Sequence, residues 1–161
     1  MIRYLSGDIL ESRADALVHG VAPNDHMDHG LALALRERWP AMHKDFRHYF
    51  HARHPEVGDL WVWAGADGRR IVNLFTQDPA PREGGHPGRA TLSAVGHSLR
   101  MLAKAATREG FKSLALPRVA TGVGGLDWDE VKPLIERYLG ELEVPVYVYA
   151  EYRPGVVAKE Q

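Results

Sequence analysis

At 161 residues, 45% hydrophobic and 25% charged, the chain has the composition of one globular domain with a full core. A formal net charge of −1 gives no bulk attraction to nucleic acid or an anionic membrane, and the lack of cysteine excludes disulfides, thiolate metal sites and a cysteine nucleophile. No apolar run is as long as a membrane span and the N-terminus lacks a signal-peptide pattern, so a cytoplasmic protein is expected. Residues 2–5 read as a short strand leaving through Gly7-Asp8, and residues 16–19 as a second apolar strand. A loop from Gly20 to Gly30, rich in Pro, Asn, Asp and His, leads to a helix with Leu31, Leu35 and Trp39 at helical spacing, stopped before Pro40. A second helix over 41–52 carries Met42, Phe46, Tyr49 and Phe50.

Two strands over 59–64 and 70–75 follow, joined by a hairpin turn at Gly65-Ala-Asp-Gly68. The Pro- and Gly-rich loop 77–88 is the longest irregular piece, a length typical of functional or mobile loops. A long helix over 90–109 places Leu92, Val95, Leu99, Leu102 and Ala106 on one face and ends at Gly110. The strand 114–116 then runs into a loop holding Gly122, Gly124 and Gly125, and a helix opens at Asp127-Trp128-Asp129-Glu130 with the spacing of a capping box. That helix reaches about residue 139 and contains Pro133, which costs one backbone hydrogen bond. Residues 144–149 form the last strand, and the segment 153–161 reads as a frayed tail.

Strands alternating with helices, plus one antiparallel hairpin, predict a mixed sheet of about six strands between helix layers. Ligands of such sheets sit beyond the carboxyl ends of the strands. Three glycine-containing loops leave strands at that edge: Gly7-Asp8, Gly20 to Gly30, and Ala120 to Gly125. Backbone N–H groups of a glycine-rich loop and a helix start suit an anion, so a phosphate-bearing ligand bridging these loops is expected. A tight turn with no ligand is the alternative for the Gly loop alone.

The motifs Gly7-Asp8-Ile9, Ala14-Asp15-Ala16-Leu17-Val18-His19, Met27-Asp-His-Gly-Leu-Ala32, Asn73-Leu-Phe-Thr-Gln77 and Thr121-Gly-Val-Gly-Gly-Leu-Asp-Trp128 together resemble a macrodomain. The likeness extends over residues 2–149, and it is to the branch with ADP-ribosyl-glutamate hydrolases, thymidine-ADP-ribose hydrolases and the fungal ADP-ribose-1″-phosphate phosphatase. The resemblance implies a three-layer α/β/α macrodomain over 1–152, a C-terminal tail over 153–161, and an ADP-ribose cleft. Carried over, Asp8 accepts from the adenine amine and Ile9 offers its backbone N–H to the same base. Gly30, Leu31 and Ala32 give N–H groups to the diphosphate. Gln77 lies in the cleft, and Thr121, Gly122, Val123, Gly124 and Gly125 wrap the diphosphate and distal ribose. Trp128 packs under that loop, near the adenine, or simply in the core.

The chain departs from the branch at two places. Hydrolases of the branch have a lysine and a loop aspartate where this sequence has Gln77 and Gly124. A glutamine amide cannot act as nucleophile or base as a lysine does, so that mechanism is expected to be absent. Asp28 and His29 stand where the family often has Gly or Ala. With His19, which aligns with a histidine tied to catalysis in the fungal phosphatase, they form an acid/base set. The alternative makes His19 a hydrogen-bonded strand-end residue and Asp28 and His29 helix caps. His43, His48, His51 and His54 lack the acidic partner of a metal helix and read as a solvated face. Arg82, His86 and Arg89 either reach an anionic ligand from above or belong to a mobile surface loop.

The expected function is therefore binding of ADP-ribose with hydrolysis of a derivative, either ADP-ribose-1″-phosphate or an ester-type ADP-ribosyl modification. A non-catalytic ADP-ribose-binding module is the alternative. No metal or organic cofactor is required. The partner is ADP-ribose or an ADP-ribosylated substrate, with no membrane, and with nucleic acid only if it is ADP-ribosylated. The branch also implies an ADP-ribosyltransferase counterpart, which no residue here encodes.

Overall fold

The computed structural model describes residues 1–82 and 85–161; Glu83 and Gly84, in the long loop, lie outside the described residues. Its elements are β1 (Ile2–Gly7), a 3₁₀ turn (Ile9–Glu11), β2 (Ala16–Val21), α1 (Gly30–Arg38), α2 (Pro40–Arg53), β3 (Leu60–Ala64), β4 (Arg70–Phe75), α3 (Leu92–Glu109), β5 (Leu114–Pro117), α4 (Trp128–Leu139) and β6 (Val146–Tyr152). The six strands lie in the order β1-β6-β5-β2-β4-β3. All neighbours pair in parallel except β3 and β4, the predicted hairpin.

Alternation along each strand divides the core between the two faces of the sheet. Val18, Val72, Leu74, Leu114 and Leu116 face α3 and α4, which supply Leu99, Leu102, Val131 and Ile135. Leu17, Val21, Ile71 and Phe75 face α1 and α2, which supply Leu35, Met42 and Phe46. The result is the predicted three-layer α/β/α fold. No helix among the described residues is long and apolar enough to cross a membrane.

Three local expectations need correction. Leu92 opens α3 rather than joining its buried face and is exposed; Thr91 caps the helix by accepting from Ala94 N at 3.1 Å. Asp127 is the N-cap of α4, yet its side chain makes no capping bond, so the box is not closed. The tail is not frayed. Arg153 N donates to Gly7 O at 3.0 Å, Asp8 N to Val156 O at 2.7 Å, and Gly155 N to Asp8 Oδ2 at 2.9 Å. Further on, the Glu160 carboxylate accepts from Ser12 Oγ, from Arg13 N at 2.9 Å and from Tyr149 OH at 2.7 Å. Polar tails fray when nothing receives them; here three donors converge on one carboxylate. Burial, then the bond to Glu160, pushes the Tyr149 phenol well above its ordinary value.

Glu160→Ala leaves those donors unpaired, and hydrogen bonds to a charged group are worth about 1.5–3 kcal/mol when buried and less when partly exposed. A loss of about 1–2 kcal/mol, or roughly 4 °C in Tm, is expected by calorimetric melting. An unchanged Tm would show that the tail is not bound in solution.

Candidate functional site

The carboxyl ends of β6, β5 and β2 open into a cavity of about 410 Å³. It is built by three segments far apart in sequence: the β2–α1 loop, the β5–α4 loop, and the stretch after β4 that carries Gln77. Among its lining residues are His19, Asp28, His29, Gly30, Leu31 and Ala32 on one side, and Gln77 and Thr121 to Gly124 on the other. Toward β1 it adjoins a second cavity of about 360 Å³ lined by Ile9, Leu10, Ala34, Tyr149 and Tyr152. Gly30, Leu31, Pro117, Tyr149 and Tyr152 border both, so the two form one elongated cleft.

Backbone geometry explains the glycines at the cleft. Gly30 starts α1 at φ 56 and Gly125 closes the second loop at φ 76, a region that side chains disfavour. The first-turn amides of α1, at Gly30, Leu31 and Ala32, have no carbonyl of their own helix to bond and bear the positive end of its dipole. Opposite them, the Thr121–Gly125 turn is pinned by Gly125 N to Gly122 O at 3.0 Å, Leu126 N to Ala120 O at 3.0 Å and Ala90 N to Gly124 O at 2.9 Å. Thr121 Oγ1 is spent on Arg118 O at 2.7 Å. Arg89 of the long loop grips the same turn through Gly125 O at 3.2 Å. It therefore clamps the turn instead of reaching over the cleft.

His19 sits 2% exposed on the floor, on the sheet face that carries α1 and α2. Its Nε2 lies 2.6 Å from Asn73 Oδ1, and Asn73 Nδ2 donates to Trp61 O at 3.4 Å. That second bond orients the amide so that its oxygen faces His19. The imidazole must therefore carry its proton on Nε2 and its lone pair on Nδ1. Nδ1 is buried and has no partner among the described residues. Burial holds the ring below its ordinary value of 6.5, opposed by the Asn73 bond and by the charge of Asp25, so His19 is neutral near pH 7.

Asp28 and His29 stand at the mouth of the same cavity, with His29 Nε2 3.5 Å from Asp28 Oδ1 and both side chains half exposed. His29 is the N-cap position of α1 but makes no capping bond, so its ring is not consumed by the helix. It stacks on His86 of the long loop at 5.5 Å between ring centres. The trio thus lines one cavity, with a neutral imidazole inside and a carboxylate–imidazole pair at the rim.

Other site residues are placed as follows. Gln77 is buried and its amide donates to Gly88 O at 3.1 Å, which ties down the base of the long loop. Gly124 has no room for a side chain, because a Cβ there would lie 2.6 Å from Ala120 O. Ile9 lines the β1-side cavity. Asp8 lines neither; its carboxylate caps the 3₁₀ turn through Leu10 N at 3.0 Å and takes Gly155 N at 2.9 Å. Trp128 packs against the core on the α3 and α4 side, edge-on to Tyr4 at 6.5 Å, with the Arg118 guanidinium 5.2 Å from its ring centre.

Sequence reasoning missed Asp25, Arg118, Tyr149 and Tyr152. Asp25 fixes the β2–α1 loop by accepting from Ala22 N at 3.1 Å and Met27 N at 2.8 Å. The tyrosines could have been found from their position at the carboxyl end of β6. Asp25 carried no comparable signal.

The family model for the Macro domain matches residues 18–135. The chain belongs to the Macro domain family. A DNA ADP-ribosyl glycohydrolase of Thermus aquaticus is 31% identical over 153 residues, covering 92% of this chain and 41% of that protein. A DNA ADP-ribosyl transferase–DNA ADP-ribosyl glycohydrolase fusion protein of Thermosipho africanus is 28% identical, again over 92% of this chain and 41% of the relative. This chain therefore spans about two fifths of the length of those relatives. Among solved structures, the macrodomain of Thermus aquaticus DarG superposes with a TM-score of 0.82 at 29% identity, covering 93% of this chain and 98% of that one.

Proposed function

We propose that the protein binds ADP-ribose along the cleft and hydrolyses a derivative substituted at the 1″ position of the distal ribose. In this reading the adenine lies in the cavity of Ile9, Tyr149 and Tyr152. The diphosphate lies between the first turn of α1 and the Thr121–Gly125 turn. The distal ribose then sits over His19. The relatives' names, which specify ADP-ribosyl glycohydrolases, support the same substrate class.

The observation that carries hydrolysis is the buried, neutral His19 with its lone pair on unpartnered Nδ1. A water admitted beside the buried His19 Nδ1 gives that nitrogen a proton as the water oxygen bonds to the reacting centre, C1″ or the 1″-phosphorus. The bond to the leaving group breaks, and the departing atom takes a proton from the His29 ring, whose Nε2 lies 3.5 Å from Asp28 Oδ1. Water is consumed and the two products share its atoms. General acid–base help of this kind is worth about 10²–10⁴ in rate.

A mass-spectrometric time course on ADP-ribose-1″-phosphate, a glutamate-ADP-ribosylated protein and thymidine-ADP-ribosylated DNA tests the reading. Loss of one substrate is expected, slowed about 10–100-fold in an Asp28→Ala/His29→Ala chain. The absence of the branch's lysine and aspartate at Gln77 and Gly124 favours a second reading, a module that binds without turnover. Persistence of all three substrates alongside calorimetric binding of ADP-ribose would select it.

A further inference from the structure

We infer that the base end of the cleft grips a flat ring by its faces and does not read the 6-amino group of adenine, because the C-terminal segment has taken the polar groups that would do so. This selectivity rests on the ADP-ribose reading above and deepens it: the ligand class is a nucleoside diphosphate ribose whose purine need carry no amine. Among the described lining residues of the β1-side cavity none is charged. Ile9, Leu10, Leu31 and Ala34 give it aliphatic surface, and Tyr149 and Tyr152 give it aromatic surface. Such walls hold any base, since every base has a π-face. Telling one base from another takes hydrogen bonds to its edge.

Two polar side chains border this end, Asp8 beside Ile9 in sequence and Tyr149 in the wall, and residues 153–160 engage both. Asp8 Oδ1 accepts from Leu10 N at 3.0 Å and Oδ2 from Gly155 N at 2.9 Å, so each oxygen holds an N–H. Lone pairs remain on both oxygens. Asp8 is nevertheless only 6% exposed and lines neither cavity of the cleft, so a base lying there meets no oxygen of its carboxylate. The Tyr149 hydroxyl donates to the Glu160 carboxylate at 2.7 Å, which leaves the ring to the cavity and the polar end to the tail.

Bonds along its length hold the segment in this position. It turns at Gly155, where φ is 72, and the turn brings the Gly155 N–H to Asp8. Asp8 N donates in return to Val156 O at 2.7 Å, and Arg153 N to Gly7 O at 3.0 Å. Ala158 packs on the core of the α1 and α2 side, so close to Gly7 that a Cβ there would lie 2.9 Å from Ala158 Cβ and 3.0 Å from Val156 O. Glu160 closes the far end on Ser12 Oγ and Arg13 N. A carboxylate held in this way reads an amide of its own chain in place of a base.

Calorimetric titration of the wild-type chain compares ADP-ribose with its analogue in which hydrogen replaces the 6-amino group. The analogue keeps N1, so a backbone N–H meeting that nitrogen treats both probes alike. Affinities equal within a fewfold are expected. A site in which Asp8 read the amine would lose about tenfold or more on the analogue, the worth of a hydrogen bond to a charged group, and that result would overturn the inference. The segment's part is tested by Gly155→Pro, which removes the N–H and cannot adopt a φ of 72. With Asp8 released, that variant is expected to favour ADP-ribose over the analogue by about tenfold. Continued equality in a folded variant would overturn the role given to the segment; the wild-type comparison stands whether or not the variant folds. Failure of both probes to bind the wild-type chain would overturn the ADP-ribose reading and this one with it, a result distinct from selective loss of the analogue.

Discussion

Replacing His19 by alanine is expected to cut turnover by about 10²–10⁴ while ADP-ribose still binds within a fewfold of wild type. The separation is the point, because His19 lies on the floor, whereas the proposed reading gives phosphate and base to backbone amides and aromatic walls elsewhere. Single-turnover rates and calorimetric affinities, measured on the same preparation, check it. Equal losses of both would make His19 a structural residue.

Protonation supplies a second readout of the same group. In the proposed mechanism the free imidazole is the working form, and burial keeps the ring below 6.5. His19 itself should therefore cause no loss of turnover as pH falls through 6.5, and should do so only at lower pH. Stability moves with it. The unfolded chain takes a proton on this ring near 6.5, whereas the folded chain does so only at its lower value. Between the two, the unfolded state binds more protons, so stability falls as pH falls. His19→Ala should remove that component of the acid slope in denaturant melts. An unaltered slope would mean that the ring titrates normally in the fold.

Writing the branch's pair into this chain, as Gln77→Lys with Gly124→Asp, is expected to weaken ADP-ribose binding by about tenfold or more and to add no turnover. The reason is steric. A Cβ on Gly124 meets Ala120 O at 2.6 Å and Ala120 C at 3.0 Å, both backbone atoms that cannot swing aside. Moving them disturbs the Leu126-to-Ala120 bond and the bond from Ala90 N to Gly124 O, which shape the turn proposed to hold the diphosphate. Forced overpacking costs about 1–3 kcal/mol, and 1.4 kcal/mol is tenfold in affinity. The measurement is calorimetric titration with ADP-ribose, paired with the substrate time course. Unchanged affinity with faster hydrolysis would show that the turn adapts and that the lysine mechanism was only two substitutions away.

Much of the fold could be read in advance because its signals are local. Leu99, Leu102 and Ala106 recur at helical spacing, and β4 packs apolar side chains on both faces, as a strand between two helix layers must. The Gly loop announced itself because positive φ at Gly125 admits few other residues. The tail was misread for the opposite reason. Nothing near Glu160 in sequence predicts a partner, since its donors, Ser12 and Arg13, lie almost the whole chain away. The capping box failed more narrowly: spacing permits it, but the side-chain rotamer decides it.

By itself, then, the sequence determined the six-strand α/β/α layering, the two backbone turns that face each other across the cleft, and the loss of the lysine and aspartate at Gln77 and Gly124. Those depend on residue type and short-range periodicity. Only the tertiary structure decided that His19 is neutral with its lone pair on Nδ1. That state is set by burial and by Asn73, which the β2–β4 pairing brings opposite His19. The tertiary structure alone also brought Gly155 of the tail to the Asp8 carboxylate and Glu160 to the Tyr149 hydroxyl. Hydrogen bonds form through space, and only the folded chain fixes which donors and acceptors meet.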